Sequence, residues 1–480
     1  MSLHYESAVD LAAGVRDGEY DPVEIVDTFI DRIEERNEIT NSFVTILDDE
    51  ARERAREVRE QVENGEADDL PLAGVPLAMK DLSESKAGVR NTKGLKPLSD
   101  NVADTTSPTI QRLEAAGAVV VGTTNTPELG HTVRTDNLLQ GPTGTPFDPE
   151  YNAGGSSGGS AAALADGLAA LATGSDVGGS LRNPASCCGI VSVKPSHGLV
   201  PRGNRTNGYR GHTPVGVLGP MARDIESLAV MLDVEAGKHP SDPFSVPKQD
   251  SYADAVAEAP DPADLDIAYS PDLDIFAVDP DVREALESTL DDLEREGATV
   301  DRVDLDTPPK GELTHAYSLA VTTFFATSVA EINDSLGIDL LEDHADGVPT
   351  GLQSLVGMGQ SNDAIDVATA DFQRTDLFDA IDSVFEEYDA LACPTLATPP
   401  LTHDEPMPTE IDGERTTGMP TDWTMAWPLN LTGHPVVNVP ADPVDGLPVG
   451  MQLVGETYTE AELLRIAAAL EDVSPWEYPE

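Results

Sequence analysis

Apolar positions in the first 64 residues recur with the period of a helix. Two amphipathic helices are expected over residues 5–36, with a break between Gly18 and Pro22. Asp21 is suited to cap the second helix and Pro22 to open it, because the first helical turn has no use for the missing N–H. Val23, Val26, Phe29, Ile30 and Ile33 then fall on one stripe, the spacing of a buried helix face. Residues 51–64, ARERAREVREQVEN, read as a charged helix facing solvent.

Strand patterns begin at LPLAGVPLAMKD (70–81), an apolar run after a proline-bounded turn. TIQRLEAAGAVVVGTTN (109–125) reads as helix, glycine turn and buried strand. An alanine-rich helix is expected over 159–172 and a strand at GIVSVK (189–194). Further strands are expected at LDIAYS (265–270), ATVDRVDL (298–305), EYDALACP (387–394), PVVNVPAD (435–442) and LPVGMQLVG (447–455). Helices are expected at 279–297 and 459–473. Helices alternating with strands imply an α/β fold. The expectation is a central mixed, mostly parallel β-sheet with helices on both faces, in a single domain over residues 1–480. Within it, 1–65 form an N-terminal helical arm, 66–235 a core holding the glycine- and serine-rich chemistry, and 236–480 the rest of the sheet with variable pocket segments. No internal repeat at solenoid periods is evident.

Charge narrows the function. There are 87 acidic and 29 basic residues, for a net charge of −58. Nucleic acid and anionic membrane both require a basic footprint, so neither is an expected partner. The acids are spread along the whole chain, and only eight basic residues are lysine. Such a surface repels itself, and at about 1 M salt, where the Debye length is roughly 3 Å, that repulsion is screened. The composition fits a salt-rich cytoplasm such as that of halophilic archaea. Three cysteines, Cys187, Cys188 and Cys393, offer no disulfide framework and no metal-ligand spacing. The N-terminus lacks a basic segment followed by an apolar one, and the longest apolar run, 161–173, contains Asp166 and is too short to span a bilayer. A cytoplasmic location is expected, and a homodimer is left open.

The chemistry concentrates in two loops, Gly154-Gly155-Ser156-Ser157-Gly158-Gly159-Ser160 and Gly174-Ser175-Asp176-Val177-Gly178-Gly179-Ser180-Leu181-Arg182. Glycine lets a ligand approach the main chain closely, so two such loops around one short helix suggest a site built from backbone N–H groups. A phosphate loop would need a lysine after its second glycine, and none is there. A nucleophile elbow centred on Ser157 would need a strand before it, and turn-forming residues stand there instead. The third reading is a serine nucleophile with an unusual base. None of the nine histidines (4, 131, 197, 212, 239, 315, 344, 403 and 434) falls in either loop, although His131 follows Gly130 in a loop near them. A lysine serves as base once burial removes its charge. Lys80 ends an apolar strand, and alternation turns Asp81 away from it. Alone, such a lysine would be read as a surface residue.

The segment from GVPLAMKD through GGSSGGSAAALADGLAALATGSDVGGSLRNPASCCGIVSVKPS closely resembles the amidase signature family. Spacing supports this, with 76 residues from Lys80 to Ser156 and 24 from Ser156 to Ser180. The likeness runs through RIEERNEITNSFVTI near the start and LNLTGHPVVNVPAD near the end. It implies that Ser180 attacks an amide carbonyl, that Ser156 relays the proton to Lys80, and that a cis peptide bond joins Gly155 to Ser156. It implies an oxyanion hole of backbone N–H groups from Val177, Gly178, Gly179 and Ser180, with Gly155, Asp176 and Arg182 supporting the loops. Leu129, Gly130 and His131 fall where family pockets draw residues, as do segments near 320–360 and 395–427. Phe324, Phe325, Trp423 and Trp427 fit either an apolar acyl pocket or core packing. The implied partner is a small-molecule amide, with no metal and no cofactor. TNTPELGHTVRTDN (124–137) resembles the general amidase branch more than the glutamine-hydrolysing subunit of a tRNA-dependent amidotransferase, which stays an alternative, as do an α/β-hydrolase-type esterase and a non-catalytic acyl-binding protein. A lysine base must be neutral, and the −58 field opposes this; local desolvation has to overcome it.

The charge makes its own prediction. The thermal unfolding midpoint should fall as salt is diluted from molar to millimolar. A midpoint unchanged in dilute buffer would refute the salt adaptation.

Overall fold

The computed structural model describes residues 3–203, 206–210 and 215–479; His212 lies outside them. The chain opens with α1 (Ala8–Arg16) and α2 (Pro22–Thr40). Asp21 caps α2 by accepting the Val23 N–H at 2.9 Å, and Asn41 ends it in the left-handed conformation. Val26, Phe29, Ile30 and Ile33 are buried, and Val23 packs at the edge of the same core. α3 (Asp48–Glu63) departs from the solvent-facing expectation. Its Ala51, Ala55 and Val58 form a narrow buried stripe, small enough to be hidden in the sequence by the charges around it.

Eleven strands form one sheet: β1 (Phe43–Ile46), β2 (Pro76–Lys80), β3 (Val119–Thr124), β4 (Leu171–Asp176), β5 (Val191–Lys194), β6 (Val217–Ala222), β7 (Asp266–Tyr269), β8 (Thr299–Arg302), β9 (Ala390–Pro394), β10 (Val436–Val444) and β11 (Leu447–Val454). Their spatial order is β1-β3-β2-β4-β6-β5-β10-β11-β9-β7-β8. The fold is α/β with a mixed sheet, as expected, but antiparallel junctions outnumber parallel ones. Only β3–β2, β2–β4, β9–β7 and β7–β8 run parallel. The difference arises mid-sheet. β6, whose residues do not alternate clearly between apolar and polar, inserts antiparallel between β4 and β5, and the β10–β11 hairpin follows. Among the described residues no helix is long and apolar enough to cross a membrane.

β2 and β4 are parallel neighbours, with Leu77 opposite Leu171 and Ala78 opposite Ala172. Their carboxyl ends therefore lie side by side, the edge where open α/β sheets place ligands. β2 ends at Lys80 and β4 at Asp176. Between β3 and β4 in sequence, α4 (Gly158–Ala165) starts within the first glycine-serine stretch. It is shorter than the helix expected over 159–172. Gly167 takes a left-handed φ of 65° and turns the chain, and β4 begins at Leu171. Asp166, which interrupts the apolar run, accepts Arg36 Nε at 2.6 Å.

The glycines of this loop serve packing. A β-carbon on Gly159 would collide with the backbone N of Asn125 and crowd the carbonyl oxygens of Asn125 and Ser42, both 2.6 Å away. One on Gly155 would lie 2.9 Å from the backbone of Arg134 and from the Thr132 carbonyl. Backbone cannot yield as a flexible side chain does. Gly159→Ala should therefore destabilise the protein by about 1–3 kcal/mol or more, measured as a lower denaturant midpoint at constant m-value. A neutral substitution would show that α4 can shift freely.

Candidate active site

Lys80 is fully buried at the end of β2. Its Nζ lies 2.9 Å from Ser156 Oγ, 2.8 Å from Ser157 Oγ and 3.0 Å from Ser175 Oγ. It makes no ion pair among the described residues. Burial holds it down to about 7, against the opposing pull of the Glu84 and Asp176 carboxylates. A lysine so placed has its neutral form accessible near neutral pH, the form that can accept a proton. The Gly155–Ser156 peptide bond is cis.

Two carboxyl groups follow Lys80 in sequence. Asp81 faces away and is held by Asn91 Nδ2 at 3.0 Å and by Thr92 N–H at 2.9 Å, as strand alternation requires. Glu84 was not anticipated. It is 1% exposed, and among the described residues no other residue hydrogen-bonds to either carboxyl oxygen. Burial pushes it up to about 7, with the Lys80 charge the largest opposing influence. Only the turn after β2 brings a residue four positions on back toward the strand end, and no sequence pattern announces that turn.

Ser180 sits on the loop that follows β4. Asp176 and Arg182 build that loop, and both side chains are completely buried. Asp176 accepts the Gly179 N–H at 2.7 Å, the Leu181 N–H at 3.1 Å and Arg182 Nε at 3.0 Å. Burial opposes its charge, but Arg182, Asn430 and the Gly179 amide hold its carboxyl well below the usual carboxylate range. The Gly179 N–H is thus committed to Asp176 and is not available to an oxyanion, which corrects the expectation for that residue. The N–H groups of Val177, Gly178 and Ser180 have no hydrogen-bond acceptor among the described residues. Gly178 is closed on its other side, since a β-carbon there would collide with Tyr317 Oη.

Ser156, Ser175, Val177 and Ser180 line a cavity of about 280 Å³. Ser157 is fully buried and does not line it. The serine at the centre of the Gly-x-Ser-x-Gly match therefore has no access to a substrate. Leu129 and Gly130 reach the cavity, and a β-carbon on Gly130 would lie 2.9 Å from Ser156 Oγ. His131 does not line it and instead pairs its Nδ1 with the Glu128 carbonyl at 2.8 Å. Phe324 and Phe325 form part of the wall, whereas Trp423 and Trp427 are buried in the core. Residues 197, 198, 200–203, 206–208, 210 and 216–218 supply another wall, which includes His197, Arg202 and Arg210 and was not foreseen. The three cysteines are buried free thiols; burial pushes Cys187 and Cys393 up to about 12 and raises Cys188 as well, so none is activated. Among the described residues no three His, Cys, Asp or Glu side chains converge as metal ligands would.

A buried lysine and three serines thus meet at the carboxyl edge of the sheet, beside a cavity. Comparison with known proteins gives the family. The amidase family model matches residues 24–464, and the chain belongs to that family. It is 34% identical over 481 residues to an acylamidase of Rhodococcus erythropolis, covering 99% of this chain and 97% of that protein. It is 35% identical over 477 residues to a glutamyl-tRNA(Gln) amidotransferase subunit of Thermosynechococcus vestitus, covering 94% and 95%. A crystal structure of a bacterial aryl acylamidase of the amidase signature enzymes superposes with a TM-score of 0.93 at 31% identity, covering 99% of this chain and 98% of that one. The protein is thus an amide-hydrolysing enzyme of the amidase signature class.

The Lys80–Glu84 pair yields a pH prediction. Amide hydrolysis should rise with pH through an acidic limb near 7, an apparent value that belongs to the pair. Ionised Glu84 favours the Lys80 ammonium. Glu84→Gln removes that influence, so the limb in kcat/KM should move to lower pH. A limb that stays put or moves up would show that Glu84 does not act on Lys80.

Proposed function

We propose that the chain hydrolyses a carboxylic acid amide through an acyl-enzyme on Ser180, with Lys80 as base and Ser156 as the relay between them. Ser180 Oγ gives its proton to Ser156, Ser156 gives its own to Lys80 Nζ, and the freed oxygen attacks the amide carbon. The developing oxyanion meets the N–H groups of Val177, Gly178 and Ser180. Donors of this kind are worth on the order of 10²–10³ in rate each. The Lys80 ammonium then returns its proton through Ser156 to the leaving nitrogen, and the C–N bond breaks. Water repeats the sequence against the acyl-enzyme, releasing the carboxylate and restoring Ser180. The observation that carries this reading is the buried Lys80 hydrogen-bonded to Ser156, which shares a cavity with Val177 and Ser180.

A stand-alone amidase acting on acylated amines is the favoured role. The acylamidase and aryl acylamidase relatives match nearly the whole chain, and Phe324 and Phe325 on the cavity wall suit an apolar group. The amidotransferase relative supports a second reading, in which the same chemistry releases ammonia from glutamine for a partner protein. That role predicts glutaminase activity dependent on a co-purifying partner. The −58 surface fits work in a salt-rich cytoplasm.

A fluorophosphonate should label the enzyme on Ser180, read by peptide mapping, and Ser180→Ala should abolish both labelling and amide hydrolysis. Ser157→Ala should keep the Ser180 label. Label found on Ser157, or full activity in Ser180→Ala, would overturn the assignment.

A further inference from the structure

Two cations on the cavity wall lack an anionic partner among the described residues. Arg202 donates Nη1 to the Gly216 carbonyl at 3.0 Å and forms no ion pair there. Lys93 donates Nζ to the Leu82 carbonyl at 2.9 Å and likewise pairs with no carboxylate. The third cation, Arg210, is matched by Glu331 at 2.9 Å. Asp242, the other acid on the wall, accepts the backbone N–H groups of Arg202 and Phe244 at 2.8 and 2.9 Å. Burial lowers Arg202 to about 10; Asp242, Glu331 and Glu84 counter this without reversing it. Lys93 is lowered by burial too.

Arg202 also stands beside the loop that carries Ser180. A β-carbon placed on Gly216 would lie 2.7 Å from Arg202 Nη1 and 3.2 Å from Val177 Cγ2. The guanidinium is therefore beside the first residue of the loop that ends in Ser180. On its other side is Phe324, whose ring centre is 5.8 Å away. In a chain with only 29 basic residues against 87 acids, three basic side chains share this one cavity. An anion entering it supplies the missing partner, and guanidinium binds carboxylate in a planar, two-point geometry.

Building on the amide-hydrolase reading, we propose that the substrate is an amide carrying a free carboxylate, which seats on Arg202 with Lys93 as its second cation. Phe324 and Phe325 cover the apolar chain between the two functional groups. The carboxylate belongs either to the acyl part or to the amine part of the amide, and the two are separable by substrate design.

The test compares kcat/KM in molar salt. In the acyl arm, succinamate, glutaramate and adipamate are set against hexanamide and 6-aminohexanamide. In the amine arm, N-hexanoylglycine is set against N-propylhexanamide. A carboxylate-bearing substrate should be preferred by about tenfold or more in one arm, the scale of a charge-assisted contact. Arg202→Gln should bring that ratio close to one, and Arg202→Lys should retain part of it. Because the readout is a ratio within each variant, a partial loss of folded enzyme does not affect it. Preference for the neutral or ammonium-bearing amides in both arms overturns the proposal, as does a ratio unchanged in Arg202→Gln. In those cases Ser180 labelling still reports the hydrolase reading separately. Absence of hydrolysis with every amide, together with no Ser180 label, overturns both.

Discussion

The buried ion pair between Asp176 and Arg182 is the constraint on which the rest of the site depends. Both side chains are sealed from solvent, and every polar atom that matters is matched. Arg182 donates to Asp176, to the Ala426 carbonyl at 2.8 Å, to Asn430 at 2.7 Å and to Gln452 at 2.7 Å. Asn430 closes the circuit by donating back to Asp176 at 2.8 Å. A buried pair is expensive to desolvate and is tolerated only when its remaining donors and acceptors are satisfied in this way. Here it fixes a loop geometry. With Asp176 holding the Gly179 and Leu181 amides, the amides of Val177, Gly178 and Ser180 stay unpaired.

Lys80 shows the opposite use of burial. Among the described residues no carboxylate lies within ion-pairing distance, and three hydroxyls take its hydrogen bonds. Hydroxyls stabilise an amine or an ammonium, so the two forms stay close in energy. Asp176, near enough to pull on Lys80, is already committed to Arg182, and Glu84 is itself desolvated. Burial is the largest influence on Lys80 and outweighs the pull of both carboxylates.

Much of this was legible in the chain. Asp21–Pro22 marked the start of α2, the Val26-Phe29-Ile30-Ile33 stripe marked its buried face, and the alternation ending in Lys80 placed Asp81 on the far side. The two glycine-serine loops pointed to the edge of the sheet that bears the candidate site. Other features depended on tertiary placement. β6 has no marked alternation, and its antiparallel insertion decided the sheet's parity. Ser175 and Glu84 reach Lys80 only because β2 and β4 end together and the chain turns back after Asp81. The helix Lys310–Leu336, which delivers Phe324 and Phe325 to the cavity, lies in a stretch without a clear pattern in the sequence. Gly179 illustrates a subtler limit: its position in the loop was evident, but the direction of its N–H was set by Asp176.

Three of the acceptors that hold Arg182 come from Ala426, Asn430 and Gln452, which are 244 to 270 residues farther along the chain. Lys80, Ser156 and Ser180 all emerge early in synthesis, before any of these. Until residue 452 has left the ribosome, the loop bearing Ser180 lacks most of the anchorage for its arginine. The geometry of that loop is thus a property of the assembled fold, set by segments that lie far from it along the chain.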